Sequence, residues 1–234
     1  MTNKPTLSIL TYSLSSGGAE RVISILINNL HKKFDITLFL MNDTIFYKLP
    51  PQTKIVYLEK SNPNENGVKK LLKLPILGWK YKNLNKSSVS ISFLYRPSYI
   101  NALAKLFGMK GHILISERSF PSAKKNEGLQ GKINLILIKW LYKKADHIIT
   151  NALISQYDLK TNFNIKKVST IYNPFDIKSI TEKSEQESSF KKDSFTFISI
   201  GRLGPEKNHA LMIKAMKHIP AKLVIIGKGN QKKK

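Results

Sequence analysis

The sequence of 234 residues contains no cysteine, few acidic residues and no long apolar run. The absence of cysteine excludes disulfide bonds and thiol chemistry, and nothing requires an oxidising compartment. No uninterrupted apolar stretch reaches about 18 residues, the length that predicts a transmembrane helix. The first residues, MTNKPTLSIL, lack the apolar core and the small-residue cleavage site of a signal peptide. We therefore expect a cytoplasmic chain.

The shortage of acidic residues leaves a large positive charge. The chain has 39 Lys and Arg against 15 Asp and Glu, a net charge of +24, and residues 61–150 hold sixteen of the basic residues but only four acidic ones. Such a surplus predicts an anionic partner or surface. No nucleic-acid-binding motif accompanies it, so we expect no nucleic-acid partner. The five histidines lack metal-ligand spacing, and we assign none of them to a metal.

Apolar strand segments alternate with helical stripes from TLSILTY to VSTIY. This alternation predicts a parallel sheet covered on both faces, a doubly wound α/β domain over residues 1–174. Residues 175–194 are polar without a clear apolar stripe, and we interpret them as a linker. A second α/β pattern occupies residues 195–234. It holds one strand–helix–strand unit, which cannot bury both faces of its own sheet, so we expect this domain to be incomplete.

Two adjacent glycines, Gly17 and Gly18, separate the first strand from the first helix in TYSLSSGGAER. They fit a tight turn that needs a positive φ angle. They also fit a phosphate cradle, in which backbone N–H groups at a helix N-terminus face an anion. Glu20, in the first turn of that helix, also suits the helix dipole as a simple structural acid.

Three motifs indicate a family: SGGAER after the first strand, IYNPFD before the linker, and SIGRLGPEKNHALMIKA at the start of the second pattern. The chain resembles the retaining glycosyltransferases of family 4. This resemblance implies the GT-B fold, with two Rossmann-like domains around a cleft. LMNDTIFYKLP, LKLPILGWKYKNL and FLYRPSYI are most similar to the transferases of bacterial protein N-glycosylation that act on saccharides carried by undecaprenyl diphosphate.

The resemblance implies an activity with two substrates. We expect transfer of an N-acetylated hexose, GalNAc, from a UDP-sugar donor to an undecaprenyl-diphosphate-linked saccharide with retention, at the inner face of the cytoplasmic membrane. The alternatives are a transferase of lipopolysaccharide or capsule synthesis with another donor, and a non-catalytic basic remnant that binds membranes. No cofactor and no metal are expected, because Arg and Lys take the metal's role at the diphosphate.

The resemblance also assigns the donor site. Gly201 lets the chain turn at a strand end, and Arg202 and Lys207 would clamp the donor diphosphate, since both side chains suit phosphate. The alternative is a pair of solvated turn residues. Gly17 and Gly18 would lie against the phosphates of the donor or the acceptor, which favours the cradle over the plain turn.

Further candidates follow apolar strands, where open α/β sheets bind ligands. The resemblance places Glu117 and Arg118 where relatives carry an acid or a histidine near the transferred sugar. This chain departs from those relatives with Arg at position 118, and a structural Glu117–Arg118 ion pair is the alternative to an acid–base role. Arg96 fits the acceptor diphosphate or a solvated strand end. Asn173 fits the interdomain hinge or a plain Asn-Pro turn.

A basic and apolar segment, VKKLLKLPILGWKYK, contains Lys69, Lys70, Lys73 and Trp79, and Pro75 interrupts it. Lysines interleaved with apolar residues and tryptophan suit an anionic bilayer surface, which a lipid-linked acceptor requires. The alternative is a core-facing helix with a lysine-rich solvent face.

The family's E-x7-E motif, which holds the donor sugar, has no counterpart in this sequence. We therefore expect a truncated and inactive form of the enzyme.

Overall fold

The computed structural model of the chain describes residues 4–60, 65–187 and 193–229. The chain divides into two compact units, Met1–Asp176 and Ile177–Lys234. Part of the predicted linker and the last five residues, NQKKK, lie outside the described residues.

Among its described residues, the first unit contains seven strands and six α-helices. The strands are β1 (Thr6–Thr11), β2 (Asp35–Leu40), β3 (Lys54–Tyr57), β4 (Val89–Phe93), β5 (His112–Glu117), β6 (His147–Thr150) and β7 (Val168–Thr170). The helices are α1 (Gly18–Leu30), α2 (Gly67–Leu72), α3 (Leu74–Leu84), α4 (Tyr95–Leu106), α5 (Gly128–Leu141) and α6 (Leu153–Phe163). A 3₁₀ helix, Pro121–Asn126, precedes α5, and a short one, Tyr142–Lys144, follows it.

The seven strands form one sheet in the order β3-β2-β1-β4-β5-β6-β7. Every adjacent pair is parallel. The predicted doubly wound parallel sheet is thus confirmed. The order reverses between β1 and β4, where Leu10 pairs with Phe39 on one side and with Ser92 on the other. Open α/β sheets bind ligands at the carboxyl ends of the strands beside such a reversal.

Both faces of this sheet are covered by apolar layers, because successive residues of a strand point to opposite sides. Ile9 packs in a cluster with Val22 and Ile23 of α1. The next residue, Leu10, belongs to the opposite cluster, which collects the buried faces of α3, α4, α5 and α6. Burial on both faces explains why the strands read as continuous apolar runs.

The interruption predicted at Pro75 is confirmed. Helix α2 ends at Leu72, and α3 begins at Leu74 with the proline in its first turn, where its missing N–H group is harmless. No helix in the described part of the chain is both long enough and apolar enough to cross a bilayer.

The second unit contains α7 (Ile177–Ser184), β8 (Thr196–Ile200), a 3₁₀ helix (Pro205–Lys207), α8 (His209–Ala215), a second 3₁₀ helix (Met216–His218) and β9 (Lys222–Ile226). Strands β8 and β9 pair in parallel. Helix α7 lies within the segment interpreted as a linker. An i,i+4 pair, Lys178 Nζ to Glu182 Oε1 at 3.9 Å, spans it, and such pairs support a helix that has little apolar burial.

Candidate functional site

The glycine pair does not form the expected left-handed turn. Gly17 caps α1 with φ −79° and ψ 168°, and Gly18 opens the helix without a positive φ. A Cβ atom at Gly17 would instead lie 2.2 Å from Glu20 Oε2, while one at Gly18 would meet no atom within 4 Å. Ser15 Oγ donates to Glu20 Oε1 over 3.5 Å. The chain's own carboxylate therefore lies over Gly17, at the helix N-terminus, and only Gly18 leaves open space there.

A cluster of four charged residues lies at the carboxyl ends of β3 and β4. Glu59 follows β3, and its Oε2 lies 3.0 Å from Arg96 Nη2, in the first turn of α4. Its Oε1 lies 3.1 Å from Lys73 Nζ, which also contacts Glu65. The Arg96 side chain is only 14% exposed, so the alternative of a solvated strand-end arginine is wrong.

The strand order reverses between β1 and β4, and several polar atoms near this point are buried without a hydrogen-bond partner. All three guanidinium nitrogens of Arg96 are among them, and so is Glu59 Oε2. Arg96 Nη2 and Glu59 Oε2 lie at the distance of an ion pair, but their contact lacks the alignment of a hydrogen bond. At the end of β1, Thr11 Oγ1 and Tyr12 Oη are also unpartnered. Buried polar groups are almost always paired, so these atoms set this cluster apart from the rest of the described fold.

The chain bends sharply between β4 and α4 at Leu94, which has φ 71° and ψ 160°. A non-glycine residue in this region costs about 1–3 kcal/mol, and such strain collects at functional sites. The bend places Arg96 in the helical turn immediately after the strand.

A second polar cluster surrounds Glu117, the last residue of β5, which is buried. Its Oε1 accepts from the backbone N–H groups of Arg118 and Ser119, both at 2.9 Å, and from Ser119 Oγ at 2.8 Å. Its Oε2 accepts from Tyr142 Oη at 2.7 Å. Burial raises the pKa of the Glu117 carboxyl above its ordinary value, although these four hydrogen bonds oppose the shift.

Arg118 does not form the predicted side-chain ion pair with Glu117, whose oxygens are already occupied. The guanidinium contacts Ser116 Oγ at 3.5 Å and Asn173 Oδ1, and it lies 5.9 Å from the centre of the Phe93 ring. Burial lowers the pKa of Arg118 from its ordinary value. Within the described residues no carboxylate oxygen lies within 4.0 Å of this guanidinium, so its charge is held by neutral oxygens.

The predicted membrane lysines divide into two kinds. Lys69 is exposed, whereas the Lys73 side chain, 42% exposed, is paired with Glu59 and Glu65. Its role at a membrane surface stays a prediction. Lys70 is partly buried. Trp79 is 60% exposed on α3, as a surface role requires.

In the second unit, three predicted residues lie together at the carboxyl end of β8. A Cβ atom at Gly201 would meet the Lys207 side chain at 3.5 Å. His209 Nε2 donates to the carbonyl oxygen of Arg202 over 3.2 Å. Gly227, after β9, also approaches closely, since a Cβ atom there would lie 1.8 Å from the Gly201 carbonyl oxygen. The segments after β8 and β9 thus form one backbone-lined edge that carries Arg202 and Lys207.

The sequence interpretation overlooked Glu59, Tyr142, His209 and Gly227. Glu59 had a usable signal, because it follows an apolar strand just as Glu117 does. The other three are defined only by tertiary contacts. Within the described residues, no group of three or more His, Cys, Asp or Glu side chains could hold a metal ion.

Comparison with known proteins shows which fold and which family the chain resembles. Residues 180–234 match the family described as glycosyl transferases group 1. The fold is shared with sucrose-phosphate synthase from Thermosynechococcus elongatus, at a TM-score of 0.77 and 14% identity over 99% of this chain and 64% of that one. It is also shared with Anabaena HepE in complex with UDP and glucose, at a TM-score of 0.69 and 15% identity over 97% of this chain and 62% of that one. These are GT-B glycosyltransferase folds, as predicted.

Two relatives from Campylobacter jejuni extend the similarity along the chain. One, named N-acetylgalactosamine-N,N'-diacetylbacillosaminyl-diphospho-undecaprenol 4-alpha-N-acetylgalactosaminyltransferase, is 42% identical over 95% of this chain and 62% of its own length. The other, named GalNAc-alpha-(1->4)-GalNAc-alpha-(1->3)-diNAcBac-PP-undecaprenol alpha-1,4-N-acetyl-D-galactosaminyltransferase, is 30% identical over 95% of this chain and 61% of its own length. The chain thus spans about three fifths of each relative. It is similar to the group 1 glycosyltransferases over residues 180–234 and to these two relatives over 95% of its length.

Proposed function

We propose that this chain belongs to a retaining transferase that moves N-acetylgalactosamine from UDP-GalNAc to a saccharide on undecaprenyl diphosphate. The 42% identity to a relative named for this transfer, over 95% of the chain, carries the proposal. The positive charge of the chain suits both substrates, since each contains a diphosphate.

The first unit binds the acceptor in this proposal. Arg96 and Arg118 lie at the carboxyl ends of β4 and β5, the edge at which open α/β sheets bind ligands. Arginine presents several N–H groups in a planar fork that matches phosphate. Glu117 does not touch substrate: it is a positioning residue that holds the loop carrying Arg118.

The second unit binds the donor. Arg202 and Lys207, at the carboxyl end of β8, neutralise the diphosphate as it leaves. In the transfer, the acceptor hydroxyl oxygen forms a bond to C1 of the sugar on the face from which the bond between C1 and the UDP oxygen breaks. The acceptor proton passes to a diphosphate oxygen. These reaction steps need no carboxylate nucleophile and no metal ion.

The acceptor's lipid tail stays in the bilayer, so the protein works at an anionic membrane surface on the cytoplasmic side. The exposed faces of α2 and α3 fit this role. They present Val68, Leu72, Ile76 and Trp79 at helical spacing beside exposed Lys69. Such a mixture binds the headgroup region of anionic bilayers.

A transfer assay tests the proposal. The chain, and a chimaera completed with the remaining C-terminal region of the 42% identical relative, are incubated with UDP-GalNAc and the undecaprenyl-diphosphate-linked acceptor in that relative's name. We expect the chimaera to add one N-acetylhexosamine, detected by mass spectrometry, and to prefer UDP-GalNAc over UDP-GlcNAc and UDP-glucose. Transfer from UDP-glucose alone would contradict the donor, and no transfer from any donor would contradict the acceptor. Transfer by the unextended chain would contradict the expectation that it is inactive.

A further inference from the structure

The chain contains two tryptophans, and both are exposed. Trp79 lies on α3 and Trp140 on α5, and each is 60% exposed. Tryptophan is usually well buried in soluble domains, whereas its amphipathic ring suits the headgroup level of a membrane. Only α3 belongs to the segment assigned to the membrane above, so the second tryptophan needs an explanation of its own.

Helix α5 has an outer face of mixed apolar and basic character. Leu129, Ile136 and Trp140 are exposed along it at spacings of seven and four residues, which align on one side of a helix. Lys132 and Lys139 are exposed on the same helix, and no acidic residue occurs in Gly128–Leu141. The opposite side, with Ile138, packs into the core.

Helices α2 and α5 are neighbours on the same side of the sheet. Leu77 of α3, Ile100 of α4 and Ile138 of α5 belong to one apolar cluster. A Cβ atom at Gly67, where α2 begins, would lie 3.5 Å from Gln130 Nε2 of α5. Helix α4 buries much of its surface and packs against both α3 and α5. The exposed faces of α2–α3 and α5 therefore form parts of one outer surface.

We propose that α5 is a second membrane-binding helix, and that it acts with α2–α3 as one lysine–tryptophan surface on an anionic bilayer. This surface consists of Val68, Leu72, Ile76, Trp79, Leu129, Ile136 and Trp140 with the adjoining lysines. The inference rests on the proposed function, since the lipid-linked acceptor lies in the bilayer. Charge complementarity selects the occupant: α2, α3 and α5 contain lysines and no acidic residue, which suits anionic headgroups.

The two tryptophans make the test direct, because each can be observed alone. In the full chain, Trp79→Phe leaves Trp140 as the only tryptophan, and Trp140→Phe leaves Trp79. We expect the emission of each to shift to shorter wavelength, and to be quenched by brominated lipid, on phosphatidylglycerol-containing vesicles but not on pure phosphatidylcholine. The role of α5 would be overturned if Trp140 kept the emission wavelength of a water-exposed tryptophan on vesicles that shift the emission of Trp79. No shift of either residue would do the same, and a protein partner for this surface would then be sought.

Matched charge changes separate a local contact from general attraction. Lys132→Gln with Lys139→Gln removes two charges from α5, and Lys32→Gln with Lys33→Gln removes two exposed charges after α1, which packs on the other face of the sheet. We expect the α5 pair to weaken vesicle binding about tenfold or more and the other pair to change it much less. Equal losses would show that net charge alone drives binding. Because vesicle binding needs no sugar transfer, it can fail while the transfer assay succeeds, and the reverse.

An apolar comparison tests the same surface without any change in charge. Ile136→Ser on α5 is matched by Ile154→Ser on α6, where the isoleucine is exposed to a similar extent. We expect only the first change to weaken vesicle binding. An equal effect of both would contradict the proposed surface.

Discussion

The two polar clusters at the carboxyl edge of the seven-stranded sheet differ in how completely their atoms are paired. Around Glu117, both carboxylate oxygens accept hydrogen bonds, four in all. Around Arg96 and Glu59, the charges are in contact, but the guanidinium nitrogens and Glu59 Oε2 lack aligned hydrogen bonds. A completed network fixes the backbone and has nothing left to offer a ligand. We propose that the incomplete one belongs to the acceptor site.

Replacing the centre of the complete cluster should have the largest effect on stability. Glu117→Leu leaves two backbone N–H groups and two hydroxyls without their acceptor in a buried site. We expect the free energy of unfolding to fall by roughly 3–5 kcal/mol, or the chain to fail to fold. Urea unfolding followed by circular dichroism measures it. A loss below about 1 kcal/mol would mean that the cluster does not hold the β5 loop.

Removing one donor should have an intermediate effect. Tyr142→Phe keeps the ring in the core and deletes the hydroxyl that donates to Glu117 Oε2 at 2.7 Å. Because the acceptor is a buried carboxyl group, we expect a loss of about 1.5–3 kcal/mol in the same unfolding experiment. Tyr157→Phe is the control, since that tyrosine is exposed on α6. If the two variants lose equal stability, the Tyr142 contact adds nothing specific.

The raised pKa of Glu117 predicts a pH dependence that isolates this cluster. The folded chain binds the Glu117 proton more tightly than the unfolded chain, because burial disfavours the carboxylate. This contribution to stability is present below the ordinary pKa of glutamate and is lost as the pH rises through the folded pKa. We therefore expect wild type to lose stability relative to Glu117→Gln as the pH is raised from acid towards neutral. Urea midpoints across this range measure the difference, and parallel curves would contradict it.

The contrast between the clusters also shows how far the sequence could predict this protein. Alternating apolar segments predict the parallel sheet, and the rule that ligands bind at strand ends led to Glu117 and Arg118. The partners of these residues could not be predicted in the same way. Tyr142 lies 25 residues further along the chain and Asn173 lies 55 residues beyond Arg118, so only the packed sheet brings them together.

The same limit explains the error at the glycine pair. Two adjacent glycines are compatible with a positive φ angle, but Gly17 has φ −79° and the Glu20 carboxylate lies beside it. This placement depends on where another side chain lies, and a local motif does not contain that information. Gly227 is a second example, because the Gly201 carbonyl oxygen lies where its Cβ atom would be.

The incomplete cluster should respond in the opposite way, with little loss of stability and a large loss of binding. Arg96→Gln removes the guanidinium group, which has no aligned hydrogen bond. Glu59 keeps its contact with Lys73 at 3.1 Å. We expect a smaller loss of unfolding free energy than in Glu117→Leu, because Lys73 still pairs with Glu59 and the variant leaves no buried carboxylate unpaired. In the transfer-competent chimaera, the KM for the lipid-diphosphate acceptor should rise about tenfold or more, since a charged hydrogen bond to phosphate contributes about 1.5–3 kcal/mol.

Arg202→Gln is the matched variant, and it should raise the KM for UDP-GalNAc instead. Two outcomes would contradict this prediction: Arg96→Gln destabilises the chain as much as Glu117→Leu does, or it leaves the acceptor KM unchanged. In either case incomplete pairing does not mark the binding site, because the two clusters differ in geometry but not in role.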